Sequence, residues 1–141
     1  MVPASAGWRT LLCRNTSLEP GVSAMRILVV DDNTELAENV AELLQDEGHE
    51  VLLAGCAADA LRVVGQQRFC FDAALLDVRM EGMDGVELLE QLRRRCPDTL
   101  YVMMTAFSRD ERITRARSLG ASEILSKPFG PDALFHALHA A

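Results

Sequence analysis

An unbroken apolar run that ends at a carboxylate constrains this sequence more than any other feature. The run Ala73-Ala74-Leu75-Leu76 leads directly into Asp77, and a turn-rich segment at 81–85 follows shortly afterwards. A short apolar run without polar alternation is typical of a strand that is buried on both faces. Open sheets of parallel strands bind their ligands at the carboxyl ends of the strands. The pattern therefore predicts that Asp77 stands at a ligand-binding edge.

Short apolar runs alternate with helical periods from Met25 to the C-terminus. The pattern predicts strands at 26–30, 50–54, 72–77, 99–105 and 123–126, and helices at 33–45, 57–67, 85–95, 109–119 and from 131 onward. Gly48, Pro97 and Gly120 stop three of the helices, and Pro131 opens the last one. Successive β-α units imply an α/β fold, in which a doubly wound five-stranded parallel sheet carries five helices on its two faces.

The length of 141 residues corresponds to one domain. We expect that domain at 25–141, because Met25 stands directly before the first predicted strand. Residues 1–24 show no sustained period, and we expect them to form a loosely ordered N-terminal extension. Their apolar length is too short for a secretory signal.

The charge and the cysteines of the chain bear on its partners and its location. The formal net charge of −7 at pH 7 argues against direct nucleic-acid binding. No apolar run reaches the length of a membrane span, and we expect a cytoplasmic protein. The absence of a Cys-x-x-Cys pair favours free thiols over a disulfide framework or a zinc site. The cysteines are Cys13, Cys56, Cys70 and Cys96.

Three carboxylates occupy equivalent places after predicted strands. Asp31 and Asp32 follow the first strand as Asp77 follows the third. If those strands are neighbours, the three charges converge and repel one another, and a divalent cation relieves this repulsion. A site made only of oxygen ligands suits Mg²⁺, which keeps several waters and leaves room for a phosphate oxygen. The alternative is that Asp31 and Asp32 merely cap the first helix, which explains either residue alone better than all three together.

Two further polar side chains end strands on the same predicted edge. Thr105 ends the fourth strand, and Lys127, the only lysine of the chain, ends the fifth. A threonine at a strand end is more often a simple turn or cap residue, and a lysine is usually a solvated surface group. Beside clustered acids, however, a hydroxyl, an ammonium and a nucleophilic carboxylate together provide the groups that phosphoryl transfer requires.

Five short motifs occur in register from Met25 to the C-terminus. They are Asp31-Asp32, the Leu-Leu-Asp-Val-Arg-Met segment at 75–80, Met83-Asp84-Gly85, Met104-Thr105-Ala106 and Lys127-Pro128-Phe129. Together they resemble the receiver domain of two-component response regulators. The resemblance implies a flavodoxin-like sheet with strand order 2-1-3-4-5, and commonly a cis peptide bond between Lys127 and Pro128.

The resemblance also implies a role for each acidic residue. Asp77 would accept a phosphoryl group from a phosphohistidine on a histidine kinase or a phosphotransfer protein. Asp32, Asp77 and the backbone carbonyl of Arg79 would bind Mg²⁺, and Asp31 would act mainly through a bound water. The chain would be a signalling phosphoacceptor that catalyses only its own Mg²⁺-dependent phosphorylation and dephosphorylation.

The remaining two site residues connect phosphorylation to a conformational response. Thr105 would hydrogen-bond one phosphate oxygen, and Lys127 would pair with another. The added charge can draw Thr105 and its loop inward. In the family this movement is coupled to an aromatic residue three positions before the lysine, but Ile124 stands there in this chain. We therefore expect a weaker or differently routed response on the face formed by 109–141.

One further departure from the family pattern and one further feature of this sequence bear on the site. Glu81 stands where the family usually has proline. Glutamate leaves the turn more conformational freedom than proline would, and the exchange removes no ligand. Arg79 and Phe107 lie two residues beyond Asp77 and Thr105 respectively. Both can overhang a phosphoryl group and impede an attacking water, so we expect a comparatively long-lived phosphorylated form.

Other functions compete with this interpretation. A dehalogenase-like phosphatase needs a second acid two residues after its nucleophile, and Arg79 holds that place. A flavodoxin needs a phosphate-cradling loop rich in Ser, Thr and Gly after the first strand, which this sequence lacks. A receiver that serves only as a binding module, with vestigial phosphorylation, stays open. An output protein or a second receiver would read the 109–141 face, whether the receiver is stand-alone or part of a longer regulator.

Overall fold

The structure, a computed structural model, describes residues 10–11, 24–67, 70–107 and 109–139. In that part of the chain the strands are β1 (Thr10–Leu11), β2 (Arg26–Val30), β3 (Glu50–Ala54), β4 (Ala73–Asp77), β5 (Leu100–Thr105) and β6 (Ala121–Ser126). The helices are α1 (Thr34–Asp46), α2 (Ala57–Gln66), α3 (Gly85–Arg95), α4 (Glu111–Ser118) and α5 (Pro131–His139). None of these helices combines the length and the apolar character needed to cross a membrane.

The sheet confirms the predicted fold class and strand order. The spatial order is β1-β3-β2-β4-β5-β6, and every pairing from β2 onward is parallel. Counted from β2, the parallel strands follow the order 2-1-3-4-5, as in a doubly wound flavodoxin-like fold. Each predicted strand and helix from residue 25 onward is present, with boundaries shifted by no more than two residues.

One strand was not predicted from the sequence. In β1, Thr10 and Leu11 pair in an antiparallel register with Leu52 and Val51 of β3, at one edge of the sheet. This strand is only two residues long and lies in the segment 1–24, which carries no periodic pattern. Apart from Ala24, the rest of that segment lies outside the described residues, so its loose order stays a prediction.

The core consists of two layers because alternate strand residues point to opposite faces of the sheet. Leu28 and Val30 of β2 pack with the apolar faces of α2, α3 and α4. Ile27 and Val29 pack on the other face with α1 and α5. Because β4 lies between β2 and β5 and all five of its residues are buried, the acidic end of this strand is held rigidly by both layers.

The expectation of free thiols was wrong for two of the cysteines. Cys70 and Cys96 form a disulfide, with their Cα atoms 5.7 Å apart. Cys70 precedes β4, and Cys96 lies at the C-terminal end of α3, before β5. Because β4 and β5 are adjacent and parallel, the residues that precede them meet at one edge of the sheet. Cys56 is a free cysteine, as expected, and Cys13 lies outside the described residues.

A buried histidine should make the stability of the folded chain depend on pH. His49 is 1% exposed, and its Nδ1 accepts a hydrogen bond from the backbone N–H of Met25 at 3.0 Å. Burial and the nearby His139 lower the pKa of His49 below its ordinary value of 6.5, and Glu47 and Asp72 only partly offset them. The unfolded chain therefore binds a proton more readily than the folded chain does. We expect the free energy of unfolding to fall as the pH drops below about 6.5 and to be insensitive to this group above it.

Urea unfolding between about pH 5 and pH 7.5 measures this effect. The variant His49→Asn keeps an acceptor for the Met25 N–H and cannot titrate, so it should lose part of the dependence on pH. The matched control is His136→Asn, which changes an exposed histidine of α5. Equal pH profiles for the wild type and His49→Asn would contradict the prediction.

Candidate functional site

Two neighbouring strands bring three carboxylates to one edge of the sheet. Asp77 is the last residue of β4, and Asp31 and Asp32 follow β2 directly. Since β2 and β4 are adjacent and parallel, their carboxyl ends lie side by side. One carboxylate oxygen from each aspartate lies within 4.8 Å of those of the other two. Asp31 and Asp77 are buried, whereas Asp32 is exposed, so the cluster has one open side.

Lys127 bridges the two buried acids of this cluster. It follows β6, and its backbone N–H donates to the carbonyl of Thr105 at 2.7 Å, which fixes the start of the loop. Its Nζ donates to Asp31 Oδ2 at 2.9 Å and to Asp77 Oδ1 at 3.2 Å. The peptide bond between Lys127 and Pro128 is cis, as the resemblance implied.

The charges of the cluster do not balance. Burial and the carboxylate of Asp31 raise the pKa of Asp77 from 3.8 to about 6, and Lys127 only partly opposes them. Burial alone lowers the pKa of Lys127, but its hydrogen bonds and ion pairs with Asp31 and Asp77 outweigh burial and raise it. One ammonium is therefore firmly held among three carboxylates, and the site has an excess of negative charge that a further cation would offset.

The alternative role of helix capping belongs to another residue. The N-cap of α1 is Asn33, whose side chain accepts a hydrogen bond from the backbone N–H of Leu36 at 3.1 Å. Asp31 Oδ1 accepts from the N–H of Asn33 at 2.9 Å and so supports the turn before the helix. The other oxygen of Asp31 is bonded to Lys127, so capping does not account for the cluster.

The Thr105 hydroxyl lies at the end of β5 and bonds within its own loop. Thr105 Oγ1 accepts from the N–H of Phe107 at 2.9 Å and lies 3.2 Å from the Phe107 carbonyl, to which it donates. Thr105 itself is 1% exposed. The hydroxyl is thus on the predicted edge, and its hydrogen bonds order the loop between β5 and α4.

All of the site residues lie within the match to one protein family. The model of the response regulator receiver domain matches residues 27–139, which include all three aspartates, Thr105 and Lys127. This chain belongs to the response regulator receiver domain family.

Curated relatives of this receiver are longer proteins. A response regulator receiver protein of Anaeromyxobacter sp. (strain Fw109-5) is 43% identical over 103 residues, which cover 73% of this chain and 42% of that protein. The response regulator protein FleR of Pseudomonas aeruginosa is 36% identical over 111 residues, which cover 79% of this chain and 23% of FleR. The chain thus spans less than half the length of these two relatives.

Solved receiver structures share the fold. A receiver domain protein (CheY-like) from Methanospirillum hungatei JF-1 superimposes with a TM-score of 0.78 at 30% identity, over 84% of this chain and 93% of that one. A response regulator protein from Burkholderia pseudomallei, solved with a phosphorylated aspartic acid and a calcium ion, has a TM-score of 0.74 at 26% identity, over 81% of this chain and 66% of that one.

The acid cluster of this receiver fits a hard dication. Receiver domains bind Mg²⁺ at an acidic pocket, and the three aspartates form such a cluster here. Every side chain of the cluster offers oxygen, with no sulphur or imidazole ligand among the three. Oxygen donors and an open, exposed side suit Mg²⁺, which retains part of its water shell.

A network beside the site of this receiver was not predicted from the sequence. The guanidinium of Arg79 lies 4.5 Å from the centre of the Phe107 ring, and its Nε donates to Asp110 Oδ2 at 2.8 Å. Asp110 is the N-cap of α4 and accepts from the N–H of Arg112 at 3.0 Å. These hydrogen bonds and the positive charges of Arg79 and Arg112 lower the pKa of Asp110. We call Arg79, Phe107 and Asp110 the Arg79 bridge, since they join the loop after β4 to the start of α4.

Proposed function

We propose that this receiver accepts a phosphoryl group on Asp77 from a phosphohistidine of a histidine kinase or a phosphotransfer protein, with Mg²⁺ as its cofactor. One observation carries the proposal: the ammonium of Lys127 lies 3.2 Å from an oxygen of Asp77, in a cluster that keeps an open side at Asp32. A nucleophilic carboxylate, a fixed positive charge and a set of oxygen ligands are the groups that phosphoryl transfer uses.

The step consists of one displacement at phosphorus. An oxygen of the Asp77 carboxylate forms the new O–P bond as the N–P bond to the donor imidazole breaks, and the leaving nitrogen takes up a proton. Lys127 pairs with one equatorial oxygen of the transferring group, and Thr105 donates to another when its loop moves inward. Asp32, Asp77 and the carbonyl of Arg79 would hold Mg²⁺, with Asp31 acting mainly through a bound water, and the ion would neutralise charge on the transferring oxygens.

An open groove leads to this site. It has a volume of about 500 Å³. Residues at the N-terminal end of α1 line one side of it, and the loops after β5 and β6 line the other. Its lining includes Asn33, Leu36 and Lys127. An imidazole carried on a partner fits a groove of this size, so we assign the approach of the donor to this side.

The test is labelling with acetyl phosphate, a small donor that needs no partner protein. With Mg²⁺, the intact mass of the chain should increase by one phosphoryl group, and both EDTA and Asp77→Asn should abolish the increase. Asp98→Asn, which changes an exposed aspartate after α3, is the matched control and should keep it. A chain that folds but never takes up label would instead favour the binding module with vestigial phosphorylation.

The output surface is assigned to the face that α4, β6 and α5 form within 109–141. Arg117 of α4 is exposed, whereas Arg115 of the same helix pairs with Glu90 of α3 at 2.8 Å and so lies toward α3. Ile124 is half-buried and packs against the core beneath this face. An aliphatic side chain there cannot switch as an aromatic ring does, so the response of this face passes through the Thr105 loop and α4.

The Arg79 bridge should lengthen the life of the phosphorylated form. The Arg79 guanidinium lies over the Phe107 ring, beside the loop after β4, and we expect the pair to hinder the approach of water to a phosphoryl group on Asp77. The variant Arg79→Ala with Phe107→Ala removes both groups. A stacked cation and ring contribute about 1 kcal/mol, so we expect dephosphorylation to be faster by about fivefold or more.

The measurement is the decay of the phosphorylated chain after the removal of acetyl phosphate. Asp110→Asn is the matched variant, because it keeps a cap for α4 and weakens the hold on Arg79, together with a longer contact to Arg112 at 3.4 Å. Its decay rate should lie between those of the wild type and the double variant. The prediction fails if the double variant and the wild type decay at the same rate.

A further inference from the structure

Cys70 and Cys96 form a disulfide near the amino-terminal ends of β4 and β5. The acid cluster lies at the opposite, carboxyl ends of the strands. The two cysteines are 26 residues apart in sequence, and they precede β4 and β5 respectively. The five residues of β4 rise about 3.3 Å each, so roughly 16 Å of strand separates the segment of Cys70 from the carboxyl end at Asp77. The disulfide is therefore separate from the chemistry proposed for the acid cluster.

Other contacts hold the same two segments together without the disulfide. Thr99 Oγ1 donates to the carbonyl of Phe71 at 2.6 Å. The N–H of Leu100 donates to the carbonyl of Asp72 at 3.0 Å, and within the second segment the hydroxyl of Tyr101 donates to the carbonyl of Cys96 at 2.7 Å. Thr99 and Tyr101 are both buried, so water does not compete for these bonds. The two thiols of a reduced chain should therefore remain neighbours, within reach of forming the bond again.

The two cysteines differ in their access to solvent. Cys70 is exposed, whereas Cys96 is only 6% exposed. Thiol–disulfide exchange requires access to the sulphur that attacks or is attacked, so an external reagent reaches Cys70 first. Cys56 caps the N-terminal end of α2, and Cys70 follows the C-terminal end of that helix. The ten residues of α2 span about 15 Å. That distance keeps Cys56 from competing for the bond.

We propose that Cys70 and Cys96 are a reversible thiol–disulfide couple, oxidised by a small-molecule disulfide such as oxidised glutathione and reduced by the matching thiol. The Cys70 thiolate attacks one sulphur of the reagent, forms a mixed disulfide and releases a first reagent thiolate. The Cys96 thiolate then attacks the sulphur of Cys70, forms the internal bond and releases a second reagent thiolate. Two electrons pass from the cysteines to the reagent, and the two cysteine protons go to the released thiolates.

The couple controls the stability of the part of the chain that carries the site. The bond closes a loop that contains all of β4 and α3, and Asp77 with them. Closing a loop of this length restricts the unfolded chain, so we expect the oxidised form to melt about 10 °C higher than the reduced form. The rate of labelling by acetyl phosphate should change by less than about twofold, because the acid cluster lies at the opposite edge.

The test equilibrates the full chain in mixtures of reduced and oxidised glutathione. After an acid quench, free thiols are alkylated and located by peptide mass spectrometry. Cys70 and Cys96 should lose alkylation together at one midpoint, and Cys56 should remain alkylated. Cys96→Ser should trap glutathione on Cys70, and Cys56→Ser, the matched control, should keep the couple intact.

Three results would overturn the proposal. They are full alkylation of both cysteines in excess oxidised glutathione, a bond from either one to Cys56 or Cys13, and glutathione trapped on Cys96 in place of Cys70. The glutathione titration of the wild type needs no variant to fold and no phosphorylation to be measured. Its failure is therefore distinct from failure of the phosphoacceptor function.

Discussion

Replacing Lys127 with methionine should slow labelling by acetyl phosphate by about 10²- to 10³-fold at saturating Mg²⁺. Methionine keeps much of the length of the side chain and removes its charge. The Nζ of Lys127 lies within hydrogen-bond distance of Asp77. The oxygens of a phosphoryl group bonded to that carboxylate would therefore lie close to the ammonium. Without the ammonium, the charge that develops on those oxygens loses a fixed, desolvated partner, which raises the barrier.

The same substitution should also lower stability when Mg²⁺ is absent. The side chain of Asp31 is fully buried, and removing one partner of a buried ion pair costs about 3–5 kcal/mol. Asp31 keeps its hydrogen bond from Asn33, and Asp77 takes up a proton readily because its pKa is already about 6. We therefore expect a loss near the lower limit, about 3 kcal/mol in EDTA. Mg²⁺ should restore part of it, since a dication offsets the same carboxylates.

The control for Lys127→Met is Arg117→Met. Arg117 lies exposed on α4, so this change alters the net charge equally but leaves the cluster intact. The two measurements are the initial rate of mass increase with acetyl phosphate, and urea unfolding with Mg²⁺ or EDTA. If the two variants are labelled at the same rate, Lys127 has no part in the transfer.

The position of Asp77 followed from the sequence because it depends on local pattern. A strand buried on both faces leaves no polar alternation, so the first charged residue after the run Ala73–Leu76 marks its carboxyl end. The same reasoning placed Asp31, Asp32 and Thr105 at strand ends. Their convergence needed one more fact, the adjacency of β2 and β4, which the strand order of the family provided.

Contacts between distant segments did not follow from the sequence. The bond between Arg79 and Asp110 joins residues 31 positions apart, and an exposed arginine has many equally plausible partners. The disulfide had a signal that was overlooked. Cys70 and Cys96 each stand a few residues before strands that are neighbours in the predicted order, and such positions meet at one edge of a parallel sheet. The prediction of free thiols depended instead on the absence of a Cys-x-x-Cys pair and on the general rarity of disulfides in cytosolic proteins.

A second large effect is expected at Gly85, the first residue of α3. A Cβ placed on Gly85 would lie 1.9 Å from the carbonyl oxygen of Asp77 and 3.1 Å from the Cα of Val78. The N–H of Gly85 also donates to the carbonyl of Val78 at 2.9 Å. Both neighbours are backbone atoms of β4 and the loop after it, and they cannot turn aside as a side chain can. The start of α3 therefore reaches the end of β4 only because residue 85 has no side chain.

Gly85→Ala should therefore lower the free energy of unfolding by about 3 kcal/mol and slow labelling at Asp77, because the helix and the strand end must separate. Gly65→Ala is the matched control. Its Cβ would meet nothing closer than Arg95 Nη1 at 3.6 Å, an ordinary contact. Alanine inside α2 should raise stability by up to about 1 kcal/mol. Urea unfolding and acetyl phosphate labelling of both variants test the pair. A Gly85→Ala protein as stable as Gly65→Ala would show that the start of α3 is not in tight contact with the end of β4.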